Sequence, residues 1–482
     1  MTPPRPGMLD AIVIGSGPNG LAAAVALARA GRSVRVYEAQ ATIGGATRSL
    51  PLTEPGFMHD VCATVHALGA ASPFLSSLPL ANFGYELVHA PAPFAHPLDD
   101  GTAVIGRRSV DDTADSLGRN DGAAYRRLMK PFVERSADLM DALLGPIGPR
   151  HPFLMARFGL VAMRSADALA RARFKDERTR AMFAGAAAHS VAPLEFRGTA
   201  GFAMGLLVAA HAVGWPVARG GSQMLPNALA AYLRSLGGEI ILDSPIESLA
   251  QLPPSRAVLC DVTPRQFVRM TADRIPPGYR ARLERYRYGP GVFKLDWALN
   301  APVPWRAREC RQAGTIHLGS TLAEIADSER AAWEGRVHDK PYVLLVQPSV
   351  ADASRAPAGK HVLWAYCHIP HGCAVDMTDR IENQIERYAP GFRDCISSRH
   401  QMGPAAMEAR NANLVGGDIT GGATDLIQIV ARPLLSLNPY ATALPGVYLC
   451  SSSTPPGVGV HGMCGYYAAL AALRAPRGWK RE

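Results

Sequence analysis

The chain has 482 residues, 48% hydrophobic and 19% charged, with 46 glycines and 39 prolines in no periodic pattern. At roughly 150 residues per domain this is two or three units of mass with ample core, which excludes a disordered, collagen-like or heptad-repeat chain. The formal net charge of +9 comes without a long Lys/Arg block, so no nucleic-acid partner is expected; a solvated Arg-rich surface is the plain reading, and phosphates or acidic lipids are the partners it favours otherwise.

The eight cysteines, Cys62, Cys260, Cys310, Cys367, Cys373, Cys395, Cys450 and Cys464, contain no C-x-x-C pair. That argues against a zinc ribbon and against a dithiol redox centre, and no metal site is expected. Scattered thiols suit a reducing, cytoplasmic setting.

The opening MTPPRPGMLDAIVIG has no signal-peptide pattern; its short apolar run leads straight into glycines. Ala11 to Ile14 reads as a buried parallel strand. Gly15-Ser16-Gly17-Pro18-Asn19-Gly20 follows, then an Ala/Leu-rich helix over Leu21 to Ala30 with Gly31 placed to stop it. Ser33 to Tyr37 is a second strand, closed by Glu38. Each part has a physical task. Gly15 permits the turn, Gly17 lets the backbone approach a pyrophosphate, and Gly20 lets helix and strand pack closely. The helix start offers free N–H groups to phosphate, and Glu38 can accept from ribose hydroxyls. Glu38 disfavours a 2′-phosphate, hence NADP. A second glycine pair, Gly44-Gly45, followed by Thr47 and Arg48, tilts the choice toward FAD; Arg48 either reaches a phosphate or is a surface arginine.

Further along, His59, Asp60 and His66 stand in MHDVCATVHAL as junction polar residues or as an acid–base group. Residues 150–182 mix Arg157, Arg164, Arg171, Arg173, Lys175, Arg178 and Arg180 with apolar residues, a solvated helix face or a peripheral lipid contact. Thr199 to Ala218 is apolar but carries His211, Gly214 and Pro216. It predicts a buried helix or substrate-cavity wall, or a membrane-dipping segment, before a spanning helix. Ser222 is placed to cap a helix running to about Leu236, ended by Gly237-Gly238 and followed by a strand over Glu239 to Leu242. In Val292 to Trp297, alternation puts Lys294 and Asp296 opposite Phe293, Leu295 and Trp297. Val447 to Cys450 reads as a strand, then a Gly/Pro-rich turn and a helix of small residues. No G-x-S-x-G, P-loop or H-E-x-x-H is present.

The run V-I-G-S-G-P-N-G-L, then V-Y-E-A, then I-G-G-A-T-R-S resembles the phytoene desaturase and carotenoid oxidoreductase family within the amine-oxidase-like flavoproteins. Residues 217–249, 413–440 and 445–473 extend the resemblance. It implies an α/β fold with a discontinuous Rossmann-like FAD-binding domain, residues 1–75, 215–290 and 405–482, and a mixed α+β substrate domain, residues 76–214 and 291–404. It implies FAD held by Gly15, Gly17, Pro18, Asn19, Gly20, Glu38, Ala39, Gly44, Gly45, Thr47, Arg48, Gly221, Ile246, Ser452, Gly459, Val460, His461 and Met463. The family often has Gly and an acid where Ser451-Ser452-Ser453 stand, which leaves the ribityl contact open. The helix after Gly462 would point its N-terminus at the flavin's pyrimidine edge, where reduction places negative charge.

Lys294, His66 and His461 are the candidates for catalysis. A lysine in a comparable strand of the amine-oxidase-like group holds water near the reactive flavin nitrogen; the alternative is a Lys–Asp surface ladder. The expected activity is dehydrogenation or desaturation of a small, largely apolar, polyene- or lipid-like substrate. An amine-oxidase-like enzyme, which would need an aromatic pair that Tyr466 and Tyr467 do not obviously supply, stays open, as do a redox-neutral polyene isomerase and a non-catalytic flavin scaffold. Monomer and homodimer are equally compatible with the sequence, and a location at a membrane surface stays open.

Overall fold

The computed structural model describes residues 8–146, 148–271 and 274–475. The leaderless reading of the first residues, and the ends of the expected FAD domain, thus lie partly outside the described residues. Along the chain, β1 (Leu9–Ile14) leads into α1 (Pro18–Arg29) and β2 (Val34–Tyr37). The hairpin β3 (Ala92–Pro97) and β4 (Ala103–Gly106) precedes a helical block containing α2 (Gly118–Val133), α3 (Pro152–Ala162), α4 (Glu177–Ala187) and α5 (Thr199–Ala212). The chain then returns through α6 (Met224–Ser235), β5 (Glu239–Ile241) and β6 (Ser255–Cys260). A second excursion holds β7 (Gly291–Leu299), β8 (Ala313–Leu318), α7 (Leu322–Trp333), β9 (Val343–Val346), β10 (His361–Ile369), α8 (Thr378–Tyr388) and β11 (Ile396–Met402). Finally β12 (Val447–Leu449) and α9 (Met463–Arg474) come back to the first sheet.

That sheet is parallel throughout, in the order β12-β6-β1-β2-β5. Ala11 to Ile14 are buried, as a central parallel strand covered on both faces requires. The register aligns the strand ends. Ile14 is level with Tyr37 and with Cys260, and Cys260 with Leu449. The residues that follow, Gly15, Glu38, Asp261 and Cys450, therefore form one row on the carboxyl edge, where open α/β sheets hold their ligands.

Helix boundaries differ from the sequence reading in two informative places. α1 begins at Pro18, inside the glycine pattern, because proline's fixed φ suits the first helical position. Ser222 does not cap α6, which starts at Met224. Its amide donates to Asp60 Oδ1 at 2.8 Å and its hydroxyl meets His66 Nε2 at 2.9 Å.

The second sheet runs β11-β7-β10-β9-β8-β3-β4; only β8 and β3 pair in parallel. One face buries Phe293, Leu295 and Trp297 under Ile381, Ile385 and Tyr388 of α8 and Phe392. The opposite face carries Lys294, Asp296, Trp364, Tyr366 and His368, and its Trp364 and Tyr366 join the core shared with α1 and α9. Lys294 and Asp296 are buried at 1% and 0% exposure, so they form no surface ladder. The apolar stretch forms α5, too short to cross a bilayer at about 20 residues. It is a buried helix, with Tyr125 Oη 2.7 Å from His211 Nε2. Among the described residues no helix is long and apolar enough to span a membrane.

Candidate functional site

The turn after β1 is built from backbone. Gly15, at φ +97°, donates its N–H to Tyr37 O at 2.8 Å. Ser16 donates both its N–H (2.9 Å) and its hydroxyl (2.5 Å) to Glu38 Oε2. Turn and acid are thus one hydrogen bond apart, close enough to share one ribose. The segment carrying Gly44 and Gly45 closes over this turn, with the Gly44 N–H on Ser16 O at 3.0 Å. A Cβ on Gly45 would stand 3.1 Å from Gly17 Cα, and one on Gly20 would stand 2.1 Å from Gly15 O. The cradle accepts no side chain at these positions. Pro18 and Asn19 open α1, whose first-turn amides face this cradle without partners in the helix.

Arg48 does not reach out over the turn. Its guanidinium folds back onto Thr42 O (2.5 Å) and lies 3.3 Å from Glu38 Oε1. Burial pulls its pKa down and the Glu38 charge opposes that, so Arg48 braces the acid. The Gln40 N–H also donates to Glu38 Oε1, at 3.0 Å. Ala39 is exposed beside it, and Thr47 is locked onto Gly44 O at 2.7 Å.

Sequence reading missed Asp261. Its Oδ2 accepts the Gly20 N–H at 2.9 Å and lies 2.9 Å from where a Gly17 Cβ would be. Burial pushes this carboxyl up to about 7, the Gly20 hydrogen bond works against it, and Glu38 adds to the rise. The available signal was its place directly after a strand whose end is level with Ile14.

On the far side, Gly459 (φ +130°), Val460 and His461 form the turn before α9. Ser72 donates its hydroxyl to His461 O at 2.7 Å, and the Met463 N–H donates to His461 Nδ1 at 3.0 Å. His461 Nε2 is buried without a partner, and burial lowers the ring's pKa to about 4. α9 lies against α1 so closely that a Cβ on Gly465 would be 1.8 Å from Asn19 O. The two helix starts therefore converge. Ser452 gives its carbonyl to Arg432 Nη1 at 2.9 Å; Arg432 also binds Gly422 O at 2.6 Å, tying the 413–440 loop to this turn. Ile246 packs with Ile12, Ile14 and Tyr37 under the β2 edge. Gly221 covers Ser49, whose Oγ would lie 2.4 Å from its Cβ. Tyr467 stacks on Tyr440 and under Arg150, away from the cradle.

The histidines separate clearly. His66 has both ring nitrogens engaged, Nδ1 with Tyr85 Oη at 2.8 Å and Nε2 with Ser222, and burial holds its pKa near about 4. That is the environment of a neutral junction residue. Lys294 Nζ is in contact with Asp296 Oδ1 and lies 5.1 Å from the Trp364 ring centroid. Burial raises the Asp296 pKa, but the Lys294 charge, with the His400 and His59 rings 3.8 Å and 3.6 Å away, overcomes this and holds the carboxyl low. Asp60 meets Arg355 Nη2 at 2.7 Å, both fully buried. Burial opposes its ionisation too, and Arg355 with the Ser49 and Ser222 hydrogen bonds wins.

Residues 13–78 match the family described as an NAD(P)-binding Rossmann-like domain. The chain is 27% identical over 556 residues to a mouse protein named pyridine nucleotide-disulfide oxidoreductase domain-containing protein 2, covering 96% of this chain and 93% of that one. It is 28% identical over 398 residues to the phytoene dehydrogenase of Streptomyces griseus, covering 75% and 73%. A solved putrescine oxidase superposes with a TM-score of 0.62 at 17% identity, covering 97% of this chain and 98% of that one. The fold, a Rossmann-like parallel sheet joined to a second mixed sheet, is like that of this solved oxidase.

Proposed function

With that oxidoreductase architecture as premise, we propose that the protein binds FAD along the carboxyl edge of the parallel sheet and dehydrogenates a largely apolar, polyene- or lipid-like substrate. The observation that carries the reading is the 2.9 Å bond between Ser16 N–H and Glu38, which supports one ligand lying across the bare turn and the acid. Bound FAD would supply a two-electron hydride acceptor. Gly15, Gly17, Asn19 and Gly20 would line the diphosphate, Glu38 the ribose, and Gly44–Thr47 the passage toward the isoalloxazine. The α9 N-terminus, aimed by the Gly459–Met463 turn, would stabilise negative charge on the ring. The buried Lys294 would add a cation to the same end.

Likeness to a phytoene dehydrogenase supports an apolar substrate. So does the outer face of α3, where Phe153 and Leu160 are 89% and 79% exposed beside Arg157. We read this face as a peripheral contact with anionic lipid, from which such a substrate is drawn. All eight cysteines are unpaired, which suits a reducing compartment. The test is spectral. The purified protein is expected to be yellow, to release FAD at one per chain on denaturation, and to bleach anaerobically with a polyene or lipid substrate. Absence of bound or bindable flavin would end the proposal.

A further inference from the structure

The sheet face opposite α8 carries a second constellation that neither the cradle nor the Lys294 pair uses. His368, on β10, is 3% exposed, and its Nδ1 lies 2.8 Å from both Oε1 and Oε2 of Glu329 on α7, itself 1% exposed. The other ring nitrogen, Nε2, is buried with no partner. A carboxylate across Nδ1 makes that nitrogen an N–H donor, and Nε2 is the ring's open position. A buried imidazole with a vacant acceptor and an orienting acid has the composition of a base awaiting a proton, because an unfilled acceptor in the interior is costly unless something fills it.

Its position connects it to the proposed flavin. Tyr366, two residues before His368 on the same face, stands opposite Lys294 in the register, and its ring is 5.4 Å from His368. Cys62 lies within electrostatic reach of both Lys294 and Tyr366. Cys62 also shares a small void with Gly45, Ala46 and Met402, and Met402 pairs with Lys294. Trp364, Tyr366 and His368 therefore share one sheet face with Lys294, whose partner Met402 borders the void beside Gly45.

We propose that His368 Nε2 is the proton acceptor of the oxidation, that Glu329 is its positioning residue, and that the substrate is a largely apolar alcohol. This rests on the FAD reading above. Bound FAD would supply the two-electron acceptor for the hydride that leaves the carbinol C–H bond. The O–H proton goes to His368 Nε2, and the O–H electron pair closes the C=O bond. The substrate loses two electrons and two hydrogens, one as the hydride that FAD would accept and one as the proton that His368 holds. An alcohol presents an O–H proton that a hydrogen-bonding base can meet before hydride leaves, which a hydrocarbon does not. An ammonium substrate would bring a second cation beside Lys294.

The experiment uses the full-length protein carrying FAD. Dodecan-1-ol and geranylgeraniol are expected to bleach the flavin anaerobically, and squalene and dodecylamine are not. His368→Gln should slow bleaching by about 100-fold or more at unchanged flavin content, the usual scale for losing a general base. Glu329→Gln should slow it less and move the pH at which the rate is half-maximal. Independently of any substrate, nitrogen NMR of histidine-labelled protein should show one ring, absent in His368→Gln, as a neutral Nδ1–H imidazole at about pH 8, a state that a purely structural ion pair would not adopt. An imidazolium held from about pH 6 to about pH 9 overturns the proposal, as does equal bleaching by squalene or dodecylamine in wild type and His368→Gln. If no probe bleaches the flavin, the imidazole state decides. A protein that binds no flavin overturns the FAD reading and this inference together; a flavin-loaded protein with a fixed imidazolium overturns this inference alone.

Discussion

Gly20→Ala separates cofactor binding from folding. A methyl at this position would lie 2.1 Å from Gly15 O, against about 3.3 Å for a tolerated carbon–oxygen contact. The start of α1 must then retreat by roughly 1 Å from the turn it serves. Such overpacking costs about 1–3 kcal/mol, although helix propensity alone would favour alanine by about 0.8–1 kcal/mol. A chain of this size should lose no more than about 6 °C in Tm. The displaced backbone, however, is the surface that must approach the diphosphate, so flavin content should fall from one per chain to near zero. Gly31→Ala is the matched control. It has φ +74° and nothing within 4 Å of its Cβ, so it carries backbone strain of about 1–2 kcal/mol at the other end of α1 and should keep its flavin. The assay is the 450 nm absorbance per chain, calibrated by FAD released on denaturation, beside a thermal melt. Full flavin in Gly20→Ala, or equal loss in both variants, refutes the assignment of the cradle.

Three further outcomes are expected. Acid should destabilise the fold: burial lowers His66, His96 and His461 to about 4 and His189 to about 3. Below about pH 6.5 the unfolded chain binds protons that these sites refuse, so the urea midpoint should fall as pH drops from about 6.5 to about 4. Asp261, held near about 7, works in the opposite sense over about pH 4–7, but burial lowers His317 and His211 as well; a midpoint that rises on acidification would contradict this. Arg355→Met, which strands Asp60 in the core, should cost about 3–5 kcal/mol, and adding Asp60→Leu should recover part of it, read from denaturant unfolding. Wild type should co-sediment with phosphatidylserine vesicles more than with phosphatidylcholine ones, and Phe153→Ser with Leu160→Ser should lose the difference while flavin content holds; equal binding to both vesicles counts against the docking face.

The first βαβ unit was legible because its signals are local: an apolar run, glycines at fixed offsets and an acid at the next strand end. Spacing alone put Gly15, Gly17, Gly20 and Glu38 in one place, and the structure brings them there. The face of β7 was legible for the same reason, since alternation separates Lys294 and Asp296 from Phe293, Leu295 and Trp297. Whether that face met water or core was not, because it depends on Trp364 and Tyr366 arriving from β10. The Glu329–His368 contact was illegible on similar grounds: WAYCHI reads as an ordinary buried strand, and its acid comes from a helix 39 residues earlier. Ser222 misled because a hydroxyl before a helix resembles a cap until Asp60 and His66, 162 and 156 residues away, compete for it.

Asp261 shows what such distant pairing does to the chemistry of the cradle. A carboxyl held near about 7, one hydrogen bond from the Gly20 amide, is buried within reach of the Glu38 charge and beside the turn where a diphosphate would lie. Placing further negative charge there favours the protonated form. Flavin binding should therefore take up a proton near neutrality. The sign follows from linkage. The bound state has the higher pKa, so affinity is full below about 7 and declines as pH rises above it, by at most about tenfold per unit. The groups facing this carboxyl are Glu38, whose charge raises its pKa, and the Cys260, Cys450 and Cys464 thiols, which burial keeps protonated. Fluorescence titration of the apoprotein with FAD at about pH 6 and about pH 8.5 measures the slope, and Asp261→Asn should abolish it while keeping a partner for the Gly20 N–H. A slope that survives in Asp261→Asn would place the titrating group elsewhere and leave this acid a mere brace for the glycine turn.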